Sequence, residues 1–205
     1  MSNNRIASCS SDNSIRIWNA ESGDCIKLLN GHIGDVYSIV KHSNECILSC
    51  SRDKTIKLWN VNSGDCLKTF AGHQAPVYCV VSLSNERILS GSCDKTIKIW
   101  NFQTGDCLQI LEGHTETVCC IQVLSQDRIV SGSEDGELRI WCLKRNNCIK
   151  TINVHLKSIR EIQVLNDNQA ASCSEDNTIK IWDLVSLSCI KTIQCKKSVI
   201  SIDVL

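Results

Sequence analysis

Trp18, Trp59, Trp100, Trp141 and Trp182 stand 41 residues apart, and they are the only tryptophans in the chain. The full length, 205 residues, is five times that step. A strict period of this size marks an array of one small unit, each copy burying its apolar side against its neighbours. Other residues keep the step. They include Asp12, Asp53, Asp94, Asp135 and Asp176; Ser8, Ser49, Ser90, Ser131 and Ser172; Ser10, Ser51, Ser92, Ser133 and Ser174; and Cys25, Cys66, Cys107, Cys148 and Cys189. Gly-His recurs at 31–32, 72–73 and 113–114, then weakens to Val154-His155 and Cys195-Lys196. The last unit is one residue short, since SVISIDVL (198–205) matches SIREIQVL (158–165) only after a one-residue shift.

Within one period the pattern is that of strands. CLKTF (66–70), VYCVVSL (77–83), CILSCS (46–51) and TIKLWN (55–60) are short runs rich in β-formers. TIKLW alternates, with Ile56 and Leu58 on one face and Lys57 and Trp59 on the other. Turn residues separate the runs, as in Asn62-Ser63-Gly64-Asp65 and Arg52-Asp53-Lys54. No stretch holds a capped helical period. Each unit therefore supplies four short antiparallel strands. One such sheet cannot cover both of its faces, whereas stacking sheets around an axis can. The expected fold is all-β, a five-bladed β-propeller forming a single domain over 1–205. RIASCS (5–10) reads as a second strand and 198–205 as a first strand, so the C-terminal strand is expected to pair with the N-terminal three and close the ring.

Gly-His, Ser-Gly-Ser-x-Asp or Ser-Cys-Ser-x-Asp, and x-Ile-x-Ile/Leu-Trp-Asn/Asp, five times in phase, resemble the WD-repeat family over essentially the whole chain. The naming dipeptide occurs once, at Trp182-Asp183; Asn19, Asn60 and Asn101 replace the acid, and Cys142 departs further. The resemblance implies a hydrogen-bonded structural set in each blade. Those sets are His32, Ser49, Asp53, Trp59; His73, Ser90, Asp94, Trp100; His114, Ser131, Asp135, Trp141; and His155, Ser172, Asp176, Trp182. A fifth would join Lys196 to Ser8, Asp12 and Trp18, but Lys has no acceptor, so this set is expected to be the loosest. His114, Ser131 and Asp135 are also the residue types of a hydrolase triad. A triad needs a cleft and an oxyanion hole at one place, whereas this set recurs at equivalent places, so it reads as architecture.

The resemblance also implies a binding face at the narrow end of the ring. Its turn positions would be Arg52, Cys93, Glu134 and Glu175. Its first-strand positions would be Asp35 with Tyr37, Pro76 with Tyr78, Thr117 with Cys119, and Ser158 with Arg160. Both tyrosines of the chain fall in this set, and Tyr and Arg are the residues of binding hot spots.

Composition narrows the classes further. The 22 basic and 22 acidic residues cancel, leaving no electrostatic footprint for nucleic acid. No apolar run is long enough to span a membrane, and the N-terminal residues lack the core of a signal peptide. The 15 cysteines contain no Cys-x-x-Cys pair, so reduced thiols in the cytoplasm or nucleus are expected, with no metal and no cofactor. The Cys25 series is expected to pack as small apolar side chains, and Cys93, in a turn, to be the most accessible thiol.

The leading expectation is a non-catalytic scaffold that takes a protein or peptide. It would be monomeric if the ring closes, and otherwise an oligomer or part of a longer chain. Three alternatives stay open: a regulatory or targeting portion of a larger protein, a propeller enzyme with a central-channel site, and a recently amplified repeat without an evolved partner.

Overall fold

Runs of β-branched and aromatic residues become strands wherever the 41-residue step places them. The computed structural model describes residues 4–83, 86–166 and 168–203, and it contains no helix among them. Among the described residues, nineteen strands form five antiparallel sheets, the sheet inventory of a five-bladed β-propeller. The chain divides into two compact units, Met1–Ser90 with Ile99–Leu108 and Gly91–Lys98 with Gln109–Leu205.

The first unit opens with a three-stranded sheet of β1 (Arg5–Cys9), β2 (Ile15–Asn19) and β3 (Cys25–Leu29). The second sheet runs β4 (Val36–Lys41), β5 (Cys46–Ser51), β6 (Thr55–Asn60), β7 (Cys66–Ala71). Both of its faces are covered. Ile56 and Leu58 pack with Phe70, Val80, Ile88 and Trp100, while Trp59 points the other way onto Ile15, Ile17 and Leu29. Phe70 and Trp59 are each 1% exposed, and burying a side chain like Phe70 is worth about 1.5–3 kcal/mol. The third sheet contains β8 (Val77–Ser82), β9 (Arg87–Ser92), β10 (Ile97–Asn101) and β11 (Cys107–Leu111) in that order.

The second unit carries β12 (Val118–Ser125), β13 (Arg128–Ser133), β14 (Glu137–Cys142) and β15 (Asn147–Asn153) in one sheet. It also carries β16 (Ile159–Asn166), β17 (Gln169–Ser174), β18 (Thr178–Asp183) and β19 (Ser188–Gln194) in the next. Val130, Leu138 and Ile140 of the first interlock with Ile159, Ile162, Ala170 and Trp182 of the second.

Two expectations about the cysteines are corrected. Cys25, Cys66, Cys107 and Cys189 are exposed and Cys148 is half-buried, so the series does not pack as core. Each is the first or second residue of a strand at the edge of its sheet. The thiols of Cys25, Cys66, Cys148 and Cys189 instead donate to the carbonyl two residues on, at 3.4–3.6 Å. Cys93 is half-buried, and burial pushes its thiol up despite a bond from Thr117, so it is not the most accessible of the fifteen.

The first sheet has three strands among the described residues. Residues 198–203 carry no strand pairing, and 204–205 lie outside the described residues. Residues 199–202 are bonded to the fifth sheet. Val199 N–H donates to the Ser174 carbonyl, while Ser201 Oγ and Ile202 N–H donate to the Glu161 carboxylate at 2.6 and 2.9 Å.

Candidate functional site

The Gly-His motif has a steric origin. Gly31 has φ +156°, and a Cβ there would sit 3.0 Å from Cη2 of Trp59. The glycine lets the backbone lie on the indole, which aims the next residue, His32, beneath it. His32 Nε2 then lies 2.7 Å from Ser49 Oγ and Nδ1 lies 2.7 Å from Asp53 Oδ2, while Trp59 Nε1–H donates to Ser49 Oγ at 2.8 Å.

The arrangement recurs. His114 is 2.7 Å from Ser131 and 2.9 Å from Asp135, and Trp141 donates to Ser131 at 2.8 Å. For His155 the distances are 2.7 Å to Ser172 and 2.9 Å to Asp176, with Trp182 donating to Ser172 at 3.0 Å. His73 bonds Ser90 at 2.7 Å, Trp100 donates to Ser90 at 2.9 Å, and Asp94 accepts from Thr96 at 2.6 Å. In the first repeat Trp18 donates to Ser8 at 2.8 Å, and Asp12 accepts from Arg16 and Ser14. Lys196 is exposed.

These bonds leave no room for nucleophilic catalysis. An indole only donates, and an ionised carboxylate only accepts. A neutral His that donates from Nδ1 to the Asp and accepts the Ser O–H at Nε2 satisfies every group in the chain Trp–Ser–His–Asp. Ser49, Ser131 and Ser172 are 0% exposed, so no substrate reaches their oxygens. The electrostatics agree. Burial pushes the Asp135 and Asp176 carboxyls up, but bonds from His, hydroxyl and backbone N–H groups outweigh it and hold both at about 2. Burial lowers His155 despite the bond to Asp176, which favours its neutral form.

A fifth position of the set escaped the sequence reading, although the same 41-residue step marks it. Thr55, Thr96 and Thr178 each donate Oγ1–H to the turn Asp at 2.6 Å. In the fourth copy Glu137 stands there, and ligand atoms of His114, Asp135 and Glu137 lie within 4.8 Å of one another. The trio is already paired inside the protein: Arg139 donates to Glu137 at 2.8 and 3.1 Å, and His114 holds Asp135.

The positions expected to meet a partner have a different origin. In β4, Val36 pairs with Ser51 and Ser38 with Cys50, so Tyr37 is skipped by the ladder. Cys119 is skipped between Val118 and Cys120, and Arg160 between Ile159 and Glu161. Each is the extra residue of a β-bulge, a device that re-aims a side chain.

In the first unit Tyr37 and Tyr78 are half-buried and stack, with ring centroids 4.5 Å apart and planes 20° apart. Pro76 is half-buried near the start of β8. Arg52 is exposed; its N–H donates to the Asp35 carbonyl at 2.8 Å and its guanidinium is 3.8 Å from the Asp35 carboxylate. In the second unit Arg160 lies between two acids, donating Nε–H to Glu175 at 3.0 Å and Nη1–H to Glu134 at 3.4 Å. Burial works against its charge, but the two carboxylates hold the guanidinium above its ordinary range, and Arg160 in turn lowers Glu175. Ser158 is half-buried and its carbonyl accepts the Glu175 N–H. Thr117 and Cys119 are buried, at 7% and 9% exposure. Thr117 Oγ1 donates to Cys93 Sγ at 3.6 Å. Burial and the nearby Glu134 push the Cys119 thiol up to about 12, although Arg160 pulls the other way.

The family model for the WD domain, G-beta repeat matches the chain five times, over residues 2–19, 23–60, 64–101, 105–142 and 146–183. The chain belongs to the WD-repeat family. No curated protein matches it at a significant level. WD-repeat domains act generally as protein-interaction scaffolds.

The geometry also shows why this WD repeat tolerates Asn for its naming Asp. Asn60 Oδ1 accepts the N–H groups of Asn62 and Ser63 at 2.8 and 3.0 Å, and Asp183 does the same for Val185 and Ser186. Either side chain supplies the one oxygen that the turn needs. Cys142 has none, and its turn runs Leu143–Asn146 with Asn146 N–H donating to the Leu143 carbonyl at 3.4 Å.

Proposed function

We propose that the chain is a non-catalytic protein-interaction scaffold whose peptide or protein partner is held by the bulge and turn side chains of each unit. One observation carries this reading: residues at equivalent bulges differ in chemistry while their frame repeats. The frame keeps His, Ser, Asp and Trp in the same geometry, whereas the bulge positions hold Tyr37, Cys119 and Arg160. Different side chains on a fixed backbone are what recognition of one partner requires.

Two patches offer contact. The Tyr37–Tyr78 stack is a half-buried apolar platform beside the charged pair of Arg52 and Asp35. The Arg160 patch brings one guanidinium and two carboxylates, Glu134 and Glu175, a net charge of −1 that suits a basic side chain on the partner. The buried His–Ser–Asp sets give an enzyme reading no support. Fifteen cysteines outside any disulfide suit a reducing compartment, cytoplasm or nucleus. No helix among the described residues is long and apolar enough to cross a membrane.

The reading is tested by affinity capture with two variants, Tyr37→Ala/Tyr78→Ala and Glu134→Ala/Arg160→Ala. Loss of bound protein with either, under an unchanged circular dichroism spectrum, supports the assignment. Capture equal to that of the unaltered chain with both variants refutes it.

A further inference from the structure

In three copies of the repeat a threonine hydroxyl completes the polar set. Thr55, Thr96 and Thr178 donate Oγ1–H to the turn Asp at 2.6 Å. Thr55 Oγ1 also lies 3.5 Å from His32 Nδ1, and Thr178 Oγ1 lies 3.0 Å from His155 Nδ1. The hydroxyl therefore fills a niche bounded by the Asp carboxylate and the His ring. In the fourth copy the same step brings Glu137. An ionised carboxylate has acceptors only, so the donor that the niche holds elsewhere is replaced by a second acceptor.

The bonds of the fourth copy show what is lacking there. Asp53 Oδ1 accepts both the N–H and the hydroxyl of Thr55. Among the described residues Asp135 Oδ1 accepts the Glu137 N–H alone, at 2.9 Å. Arg139 reaches Glu137 with two N–H groups, but both end on Oε2, at 2.8 and 3.1 Å, and no donor among the described residues meets Oε1. Ligand atoms of His114, Asp135 and Glu137 lie within 4.8 Å of one another. The side chains of His114 and Asp135 are 1% and 6% exposed and that of Glu137 is 20% exposed, so Glu137 marks the side of entry. Arg139 brings one positive charge to two carboxylates.

We propose that His114 Nδ1, Asp135 Oδ1 and Glu137 Oε1 bind one divalent cation of the first transition row, at the place where other copies hold the threonine hydroxyl. One imidazole nitrogen and two carboxylate oxygens are ligands that such an ion takes, at roughly 2.0–2.2 Å. Glu137, the least buried of the three, turns inward to reach that spacing, and water completes the shell on its side. Arg139 keeps its bonds to Oε2. His114 ligates in the tautomer that carries its proton on Nε2, where Ser131 Oγ, 2.7 Å away, accepts it. A ring held through its second nitrogen is the usual support of a metal-bound imidazole. The other repeats hold Ser14, Thr55, Thr96 and Thr178 at this step, so the chain has one such site. The site does not depend on the partner-binding surface.

The test uses Mn2+, which favours oxygen and nitrogen ligands, whereas the exposed thiols such as Cys25 and Cys66 would compete for Zn2+. The whole chain is titrated at neutral pH, and the free ion is followed by its electron paramagnetic resonance signal. One bound ion per chain is expected, with a melting temperature that rises with Mn2+. Glu137→Thr restores the residue of the other copies and so should fold. It should weaken Mn2+ binding at least about tenfold and lose the melting shift. Glu116→Thr removes an exposed carboxylate outside the trio and should leave binding unchanged. Three results overturn the proposal: no bound ion at millimolar Mn2+, binding that Glu137→Thr leaves intact, or binding that Glu116→Thr weakens as much as Glu137→Thr does.

Discussion

Replacing Ser131 by Ala should cost far more than the loss of one hydroxyl suggests. Ser131 is 0% exposed, and its oxygen accepts the Trp141 N–H at 2.8 Å while lying 2.7 Å from His114 Nε2. Alanine leaves both nitrogens in place with no bond partner at that position. Each orphaned buried group costs about 1–3 kcal/mol, so the expected loss is roughly 2–5 kcal/mol. For a chain of this size each kcal/mol lowers the melting temperature by about 2–4 °C, so a loss near the middle of the range lowers it by roughly 7–14 °C. Urea unfolding followed by tryptophan fluorescence measures the loss directly. Trp141→Phe combined with Ser131→Ala removes the donor together with its acceptor, and should recover part of the stability. A Ser131→Ala loss within about 0.5 kcal/mol, the range of an ordinary surface substitution, would refute the reasoning.

Other expectations follow from the same geometry. Gly136→Ala should destabilise by more than the roughly 1–2 kcal/mol of a left-handed backbone alone, since φ is +78° and the added Cβ would lie 2.4 Å from the His155 carbonyl oxygen; equal urea midpoints for variant and parent would contradict this. Stability should fall with acid. Asp135 and Asp176 sit at about 2 when folded against an ordinary 3.8, so their contribution is complete above about pH 4 and is lost as pH falls towards 2. His155 is lowered in the folded state, so its contribution is already declining as pH drops below 6.5. Urea midpoints that stay level from pH 7 to pH 2 would oppose both assignments. Maleimide should modify Cys25, Cys66, Cys107 and Cys189 in the folded chain, while the buried Cys50 and Cys173, whose thiol burial pushes up to about 11, should react only after unfolding. Peptide mapping that finds Cys50 modified first would be inconsistent with the fold.

The tryptophan period made the strands legible, because a 41-residue step and a two-residue alternation are both local signals. CILSCS and TIKLWN occupy β5 and β6 residue for residue. The polar sets were legible only through the family resemblance, since nothing local says that His32 turns under the ring of Trp59. Thr55 and its equivalents carried the same period but look like ordinary strand residues until their hydroxyls are seen on Asp53 and Asp176. Cys25 read as a packed apolar side chain because cysteine is usually buried; on the edge strand β3 it is exposed. For Arg160, Glu134 and Glu175 a shared face was implied by the family resemblance. Their mutual pairing was not readable, because it brings together side chains from three different segments. The tail at 198–203 kept a first-strand pattern, and pattern alone does not say whether a partner strand lies beside it.

The central claim is that the repeating polar sets are architecture and the variable bulge residues are the binding surface. Quantitative affinity capture from cell lysate tests it most directly, comparing the unaltered chain with one variant that combines Tyr37→Ala, Tyr78→Ala and Arg160→Ala. The account predicts that proteins retained by the unaltered chain are lost from the variant, while its strand spectrum and the burial of its tryptophans persist. The same proteins captured in the same amounts would contradict it.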